Sequence, residues 1–289
     1  MNLIEQSEDF VSNLLKDKLS NLYSYHNFNH TLTVVNAVKE LCKKENVNEN
    51  EKEILLIAAW FHDTGYIVGY EKHEEESVKI VTAFLKEKQQ SDEFIATVSS
   101  LIMATVKEYI PKTHLEKIIK DADFAHLMGN EYATTCELLR IELKNTWNLN
   151  FSNVEWAKEN LNFLMNRHRF YTDYALRKWQ PLKEKNLLLV QKKIEKQQKK
   201  EANKIEEENK KKDKIKKKLN LTDSQVPTTL EKFGNTSCAT IPLTITHCLK
   251  NELADKPISL VLCGFGVGLS WGAIYLETEG LHISSLIEY

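Results

Sequence analysis

The chain has 289 residues, of which 42% are hydrophobic and 28% are charged, and its formal net charge is −2. This composition is typical of a globular protein and excludes a largely disordered chain. The near-neutral charge gives no broad electrostatic field that would favour nucleic acid or an anionic membrane as a partner. The length allows one large domain or two ordinary ones.

Charge and glycine are distributed unevenly along the chain. Residues 192–218 contain 13 Lys and 6 acidic residues, a net charge of +7, so the remainder carries −9. Six of the nine glycines fall in the last 71 residues. Helices contain few glycines, whereas strands joined by tight turns tolerate them. The composition therefore predicts two unlike parts joined by a charged connector.

Cysteine usage and terminal sequence concern the cellular compartment. The five cysteines are scattered, odd in number and form no Cys-x-x-Cys pair, which favours a reducing cytoplasm over a disulfide framework. The N-terminus lacks the basic start and apolar core of a signal peptide. Ile258–Leu276 has 19 residues without a charge, but its four glycines favour a strand, a turn and a strand over a membrane span.

Apolar side chains recur at helical spacing through the first 180 residues, and residues 1–181 are therefore predicted to form an all-α helical bundle. Residues 182–219 are predicted to be a charged helical or disordered linker, too poor in apolar residues for a coiled coil. Residues 220–289, with short apolar runs between Gly and Pro, are predicted to be a short α/β fragment. The predicted helices are Leu3–Leu19, His30–Lys44, Asn50–His62, Ser77–Lys88, Asp92–Val106, Thr113–Met128, Glu131–Lys144 and Val154–Arg169.

Paired His and acidic residues recur in the helical part. A spacing of four places two imidazoles on one helical face, and buried imidazole or carboxylate is costly unless it is paired or coordinated. Nitrogen and oxygen donors together suit Mn²⁺, Fe²⁺, Zn²⁺, Co²⁺ or Ni²⁺. Each His alone is more often a satisfied core or surface residue, but the ordered set favours a metal site. The pairs are His26 with His30, His62 with Asp63, His73 with Glu74, and Asp121 with Asp123.

The order and flanking residues of these motifs resemble the HD-domain metal-dependent phosphohydrolases over residues 20–190. Lys185-Asn186-Leu187 and Trp156 further resemble bacterial HD proteins grouped with membrane-anchored effectors of cyclic-pyrimidine antiphage signalling. The resemblance implies a divalent transition metal, and it leaves open whether Mg²⁺ binds as a second ion. It implies the ligands His30, His62, Asp63 and Asp121. It also implies the general acid His26 and the surrounding or substrate-side residues Asn27, His73, Glu74 and Asp123.

The tail carries a second distinctive pair of motifs, Phe233–Pro242 and Gly264–Gly272. Together they resemble the C-terminal end of type-three β-ketoacyl-ACP synthases, of the thiolase fold, over residues 224–289. The resemblance implies that Asn235 is the asparagine of an oxyanion hole. Such enzymes also need a nucleophilic Cys and a catalytic His from upstream segments, and the upstream sequence here is the HD-like part. The tail is therefore expected to be a synthase-like fragment that is inactive by itself.

The predicted function is a metal-dependent phosphohydrolase that acts on a nucleotide or other phosphoester through a metal-bound hydroxide. His26 would protonate the leaving oxygen, and Lys107 and Lys120 are candidate phosphate-binding cations. Two alternatives remain open: a non-catalytic sensor that binds a nucleotide or metal, and, through the tail, an acyltransferase. The expected partner is a small molecule, with no specific nucleic-acid binding, and homo-oligomerisation is left open.

Overall fold

The structure is a computed structural model, and it describes residues 2–222, 225–226, 240–265, 271–279 and 283. The chain divides into two compact units, residues 1–196 and 197–289. Each unit is described by itself. The predicted domain boundaries at residues 181 and 219 stay predictions.

The first unit is helical, which confirms the predicted fold class. Short 3₁₀ turns cover Thr64–Ile67 and Ala125–Met128, and π-helical turns cover Phe163–Arg167 and Ala175–Trp179. The helices are α1 (Leu3–Lys18), α2 (Phe28–Lys44), α3 (Glu49–Phe61), α4 (His73–Glu87), α5 (Asp92–Met103), α6 (His114–Asp123), α7 (Tyr132–Trp147), α8 (Asn153–Asn162) and α9 (Gln180–Leu219). The charged segment that was predicted as a helical or disordered linker is thus part of α9.

Local sequence explains where the helices begin. The side chains of Asn48 and Ser91 accept hydrogen bonds from backbone N–H groups in the first turns of α3 and α5. Thr113 and Glu116 form a reciprocal capping box at the start of α6. Such caps satisfy N–H groups that have no partner within the helix and contribute about 1 kcal/mol each.

Helix α3 lies at the centre of the hydrophobic core. Every residue of 55–61 is buried, and the helix packs against α1, α2, α5 and α6. Phe61 contacts the rings of Phe10 and Phe84 at centroid distances of 5.7 and 5.1 Å. The second half of α3 is apolar on every side and ends inside the protein, so the polar residues that follow it lie in the interior.

Helices α7 and α8 lie outside this main core. A small cluster of Leu127, Tyr132 and Leu164 holds them to the region that follows α6. Ser24 Oγ donates to the Leu138 carbonyl at 2.9 Å, and the rings of Tyr70 and Trp147 lie 4.3 Å apart. These contacts place α7 beside the segments that precede α2 and α4.

The second unit contains the described part of the tail. Short helices α10 (Thr240–Thr244) and α11 (Lys250–Asp255) flank a π-helical turn at Ile245–Leu249. Strands β1 (Ile258–Phe265) and β2 (Trp271–Thr278) pair antiparallel, with Ile258 opposite Thr278. The described parts of the uncharged stretch are therefore strands, as predicted, and the predicted turn between them lies outside the described residues. No helix of the described residues is long and apolar enough to cross a membrane.

Candidate metal centre and adjoining pocket

Two histidines and two aspartates from three helices meet at one point. His62 Nε2 lies 3.4 Å from Nε2 of His30, 3.2 Å from Oδ2 of Asp63 and 3.6 Å from Oδ1 of Asp123. His30 Nε2 lies 3.3 Å from the same two carboxylate oxygens. His30 is in the first turn of α2, His62 and Asp63 follow α3, and Asp123 ends α6. All four are largely buried.

One hydrogen bond of His62 determines its tautomer, and therefore which ring nitrogen presents a lone pair to the carboxylates. Its Nδ1 lies 2.8 Å from the carbonyl oxygen of Ala59. A carbonyl only accepts, so Nδ1 carries the hydrogen and donates it. The neutral ring then presents the Nε2 lone pair to Asp63 and Asp123. An outer carbonyl that fixes the tautomer in this way is common for metal-binding histidines.

The histidines and aspartates of this cluster shift one another's pKa values. Burial lowers the pKa of His30 and His62, but hydrogen bonds and charge from Asp63 and Asp123 outweigh it and raise both pKa values. Burial raises the pKa of each carboxyl, but the two histidines outweigh it and lower both. The four groups therefore stabilise added positive charge, which protons or a cation can supply.

The donor set fits a divalent ion. Donor atoms of His30, His62 and Asp123 all lie within 4.8 Å of one another. Oδ2 of Asp63 is buried, and Nε2 of His30 and of His62 lie 3.3 and 3.2 Å from it. When these nitrogens present lone pairs, as Nε2 of the neutral His62 ring does, the oxygen has no hydrogen-bond donor within the described residues, and a coordinated cation removes the cost of its burial. Mixed imidazole and carboxylate donors suit Mn, Fe, Zn, Co or Ni better than Ca²⁺.

Asp121 does not lie in this cluster, and its role as a ligand stays a prediction from the sequence. Its carboxylate accepts hydrogen bonds from the N–H groups of Tyr171 and Thr172 at 2.9 and 2.8 Å and from the Thr172 hydroxyl at 2.8 Å. Asp123, expected around the ligands, contributes its carboxylate to the cluster. Two residues apart on a helix means about 200° of rotation, so the two carboxylates face opposite sides.

His26 lies beside the cluster and is held by Glu142 of α7. One Glu142 oxygen accepts from the N–H groups of Tyr25 and His26 at 2.8 and 2.9 Å. The other contacts Nδ1 of the His26 ring. The ring also stacks on Tyr66, with centroids 4.3 Å apart and planes at 13°. These contacts leave Nε2 of His26 as the nitrogen able to exchange a proton with a ligand.

His73 forms the other face of a three-ring stack. Tyr66 lies between His26 and His73, and its centroid is 4.1 Å from that of His73. His73 Nδ1 donates to the Tyr70 carbonyl at 3.1 Å, and Nε2 lies 3.6 Å from Oδ1 of Asp63. His73 thus reaches the cluster from α4.

Two small residues join α4 to the end of α3. Ser77 Oγ donates to the His62 carbonyl at 2.7 Å and accepts from the Gly65 N–H at 2.8 Å. A Cβ at Gly65 would lie 1.9 Å from the His73 carbonyl oxygen, which is far shorter than the contact distance of nonbonded carbon and oxygen atoms. Glycine is required there so that His73 can lie near Asp63.

The remaining predicted residues around the site have different positions. Glu74 lines the pocket beside the cluster, and its Oε2 lies 3.4 Å from His73 Nδ1. Asn27 instead caps α2: its Oδ1 accepts from the Asn29 N–H at 2.9 Å. Asn27 therefore positions the helix that carries His30 and does not line this pocket. Asn235 lies outside the described residues.

A pocket of about 480 Å³ opens from the cluster and runs beneath α7 and α8. His26, Asp63, His73 and Asp123 line one end. Lys107, one of the two proposed phosphate-binding cations, lies on its wall. Lys120 does not line it, because its Nζ donates to the carbonyls of Thr105 and Val106 at 3.2 and 2.5 Å. Lys120 thus holds the end of α5 in place.

Glu142 contacts His26 but was not predicted from the sequence as a site residue. Glu142 is buried, although neighbouring residues of α7 such as Leu138 and Ile141 are exposed. It directly follows the sequence Leu138-Leu139-Arg140-Ile141. An acidic residue within an apolar run was the available signal. Its partner His26 lies 116 residues away, so no local spacing connects the two.

Comparison with known proteins separates the two parts of the chain. Residues 27–128 match the model of the HD domain family. Residues 209–278 match the model described as 3-oxoacyl-[acyl-carrier-protein] synthase III C terminal. The effector group suggested by sequence has no counterpart among these matches.

Several characterised synthases are similar to the tail over about a quarter of this chain or less. β-Ketoacyl-[acyl-carrier-protein] synthase III of Porphyra umbilicalis is 42% identical over 65 residues, covering 22% of this chain and 20% of the synthase. The Campylobacter concisus enzyme is 38% identical over 74 residues, covering 26% and 22%. The chain thus spans about a fifth of the length of these synthases. A crystal structure of a Lactobacillus plantarum protein covers 69% of this chain and 98% of its own at 14% identity and a TM-score of 0.49.

Proposed function

Because residues 27–128 are an HD domain, a family of metal-dependent phosphohydrolases, we propose that this chain hydrolyses a phosphoester. One observation carries the proposal. Two imidazoles and two carboxylates converge at the end of a pocket large enough for a small molecule, and one buried oxygen, Oδ2 of Asp63, accepts no hydrogen bond within the described residues. Such a pocket with a few convergent polar groups is the expected form of a small-molecule site.

His30, His62, Asp63 and Asp123 would hold the divalent ion. When bound, such an ion supplies Lewis acidity, which acidifies water and polarises a phosphoryl oxygen. His73 would lie at the edge of this set, with Nε2 turned toward Asp63. The buried carbonyl contacts of His62 and the Ser77 contacts of α4 keep these donors in place.

His26 would supply the proton that the leaving alcohol needs. Hydrolysis breaks a P–O bond, adds the oxygen of water to phosphorus and leaves an alkoxide that must be protonated. Glu142 binds Nδ1 of His26, so the proton transferred to the leaving oxygen comes from Nε2. The contact with Glu142 fixes the direction in which the ring faces. Lys107, on the pocket wall, would bind a non-bridging phosphate oxygen.

The test is a turnover assay on the full chain with added Mn²⁺. Bis-p-nitrophenyl phosphate, p-nitrophenyl phosphate and a series of nucleotides cover diesters, monoesters and anhydrides. We expect metal-dependent release of product. For nucleoside monophosphates, whose alcohol needs a proton to leave, turnover should fall by a factor of roughly 10² to 10⁴ in His26→Gln, the range for loss of a general acid. His114→Gln, at an exposed position outside the pocket, is the matched control. Absence of turnover with every ester and metal would refute the proposal.

The tail supports no separate proposal of acyl transfer. Its match covers about a fifth of the synthase, and formation of an acyl-enzyme needs a nucleophile and base that lie elsewhere in those enzymes. If purified chain were labelled by acyl-CoA, and the label were lost in Asn235→Ala, an acyl-transfer role would have to be added.

A further inference from the structure

The far end of the pocket is lined by apolar faces of two helices. Leu139, Leu143 and Trp147 are spaced by four residues and therefore lie on one face of α7. Trp156 and Phe163, seven residues apart, lie on one face of α8 and the turn after it. We call the surface that these five residues form with Leu149 the apolar lobe.

The apolar lobe leaves large side chains open to solvent. Trp147 is 46% exposed and Leu149 is 41% exposed, although both line a concave surface. Apolar surface in a concavity beside a reactive site marks a binding region, because its burial by a ligand is favourable. The lobe is continuous with the metal cluster, so one small molecule can contact both.

Two polar side chains beside the lobe already have partners within the protein. Tyr132 Oη donates to Asn160 Oδ1 at 3.0 Å, and Asn160 Nδ2 donates to the Trp156 carbonyl at 2.7 Å. Glu159 and Arg167 also line the pocket, 4.0 Å apart and each about half exposed. Apolar side chains thus form most of the lobe, with one pair of opposite charges at its edge. A pocket that recognises a nucleobase needs free donors and acceptors along the base edge.

We propose that the apolar lobe binds the organic group of the substrate, and that this group is an apolar alkyl or aryl group without the hydrogen-bonding edge of a nucleobase. The proposal rests on the proposed function, in which the phosphate lies at the metal cluster. The substrate class is then a phosphate ester of an apolar alcohol. Binding gains come from buried apolar surface and from stacking on Trp147 and Trp156.

The experiment measures ligand binding, so that it does not depend on turnover. Methyl-, butyl- and hexylphosphonate replace the ester oxygen with carbon and cannot be hydrolysed at that bond. Their affinities for the full chain are measured by calorimetry with and without Mn²⁺, beside the slowly hydrolysed adenosine 5′-O-thiomonophosphate. Full burial of a methylene contributes about 0.8 kcal/mol, which is roughly a fourfold gain in affinity. We expect a gain of about twofold to fourfold per methylene in this partly open lobe.

Two matched variants locate the effect. Leu149→Gln changes the apolar lobe at an exposed position, where the fold does not depend on the side chain. Leu138→Gln is the control, since Leu138 is 39% exposed and lies on α7 outside this pocket. We expect hexylphosphonate to bind several-fold more weakly to Leu149→Gln only, with methylphosphonate unchanged in both variants.

The outcomes separate this inference from the proposed function. Affinity that is independent of chain length, or tighter binding of the adenosine compound than of hexylphosphonate, would overturn the inference while metal-dependent turnover still supported a phosphohydrolase. Chain-length dependence lost in Leu149→Gln, without turnover of any ester, would support the inference and refute hydrolysis.

Discussion

Glu142 of α7 binds both the backbone N–H and the imidazole of His26, which is 116 residues earlier in the chain. The two contacts fix the position and the orientation of the ring together. Because α7 also lines the apolar lobe, the helix that would bind the substrate also orients the residue that would protonate the leaving group.

Glu142→Gln should slow turnover without loss of metal. The amide keeps the size of the side chain but weakens the contacts that orient the ring of His26, so we expect kcat to fall roughly tenfold to hundredfold. Metal content should not change. Glu137→Gln, at an exposed position of the same helix, should leave both quantities as they are. Equal kcat values for wild type and Glu142→Gln would contradict the role of the pair.

Asp123→Asn should weaken metal binding, whereas Asp121→Asn should mainly lower the stability of the fold. Asp123 lies 3.3 Å from His30 Nε2, so its replacement should weaken Mn²⁺ binding at least tenfold in calorimetry. Asp121 accepts three or more hydrogen bonds from residues 171–172. Asp121→Asn should mainly lower the free energy of unfolding, by about 1–3 kcal/mol. Loss of metal binding in Asp121→Asn with Asp123→Asn unaffected would restore the original ligand assignment.

Gly65→Ala should displace the start of α4. The added Cβ would lie 1.9 Å from the His73 carbonyl oxygen, so backbone must move, and overpacking of this kind costs about 1–3 kcal/mol. Thermal unfolding should detect it. Gly69→Ala is the control, because a Cβ there has nothing within 4 Å. An unchanged melting temperature in Gly65→Ala would show that α4 lies farther from α3.

His168 should make the fold sensitive to acid. Burial and the charge of Lys183, whose Nζ is 3.2 Å from Nδ1, lower the pKa of His168 to about 3. The unfolded chain binds a proton near pH 6.5 and the folded chain does not, so stability falls as pH drops from about 6.5 to 3. One proton contributes at most about 1.4 kcal/mol per pH unit. Denaturant unfolding of His168→Gln should show a shallower decline, and a decline equal to that of wild type would contradict the pKa.

Sequence patterns predicted most of the helical unit and three of the four residues that meet in the cluster, His30, His62 and Asp63. His30 and His62 were predictable because each follows from its place at a helix start or end. The choice between Asp121 and Asp123 was not, because it depends on the rotation of α6 against α2 and α3, and the apolar residues around both aspartates are similar. Glu142 and the apolar lobe were missed because they arise from packing of α7 across residues distant in sequence.

The most direct test of the account is the metal content of the purified full chain, measured by elemental analysis beside Asp63→Asn. Asp63 lies between the two histidines, with a buried oxygen that lacks a hydrogen bond among the described residues. The account predicts near-stoichiometric divalent transition metal in the wild type and its loss in the variant, with the helical content unchanged by circular dichroism. A wild type that contains no metal and binds no added Mn²⁺ would contradict the metal centre and the hydrolase built on it.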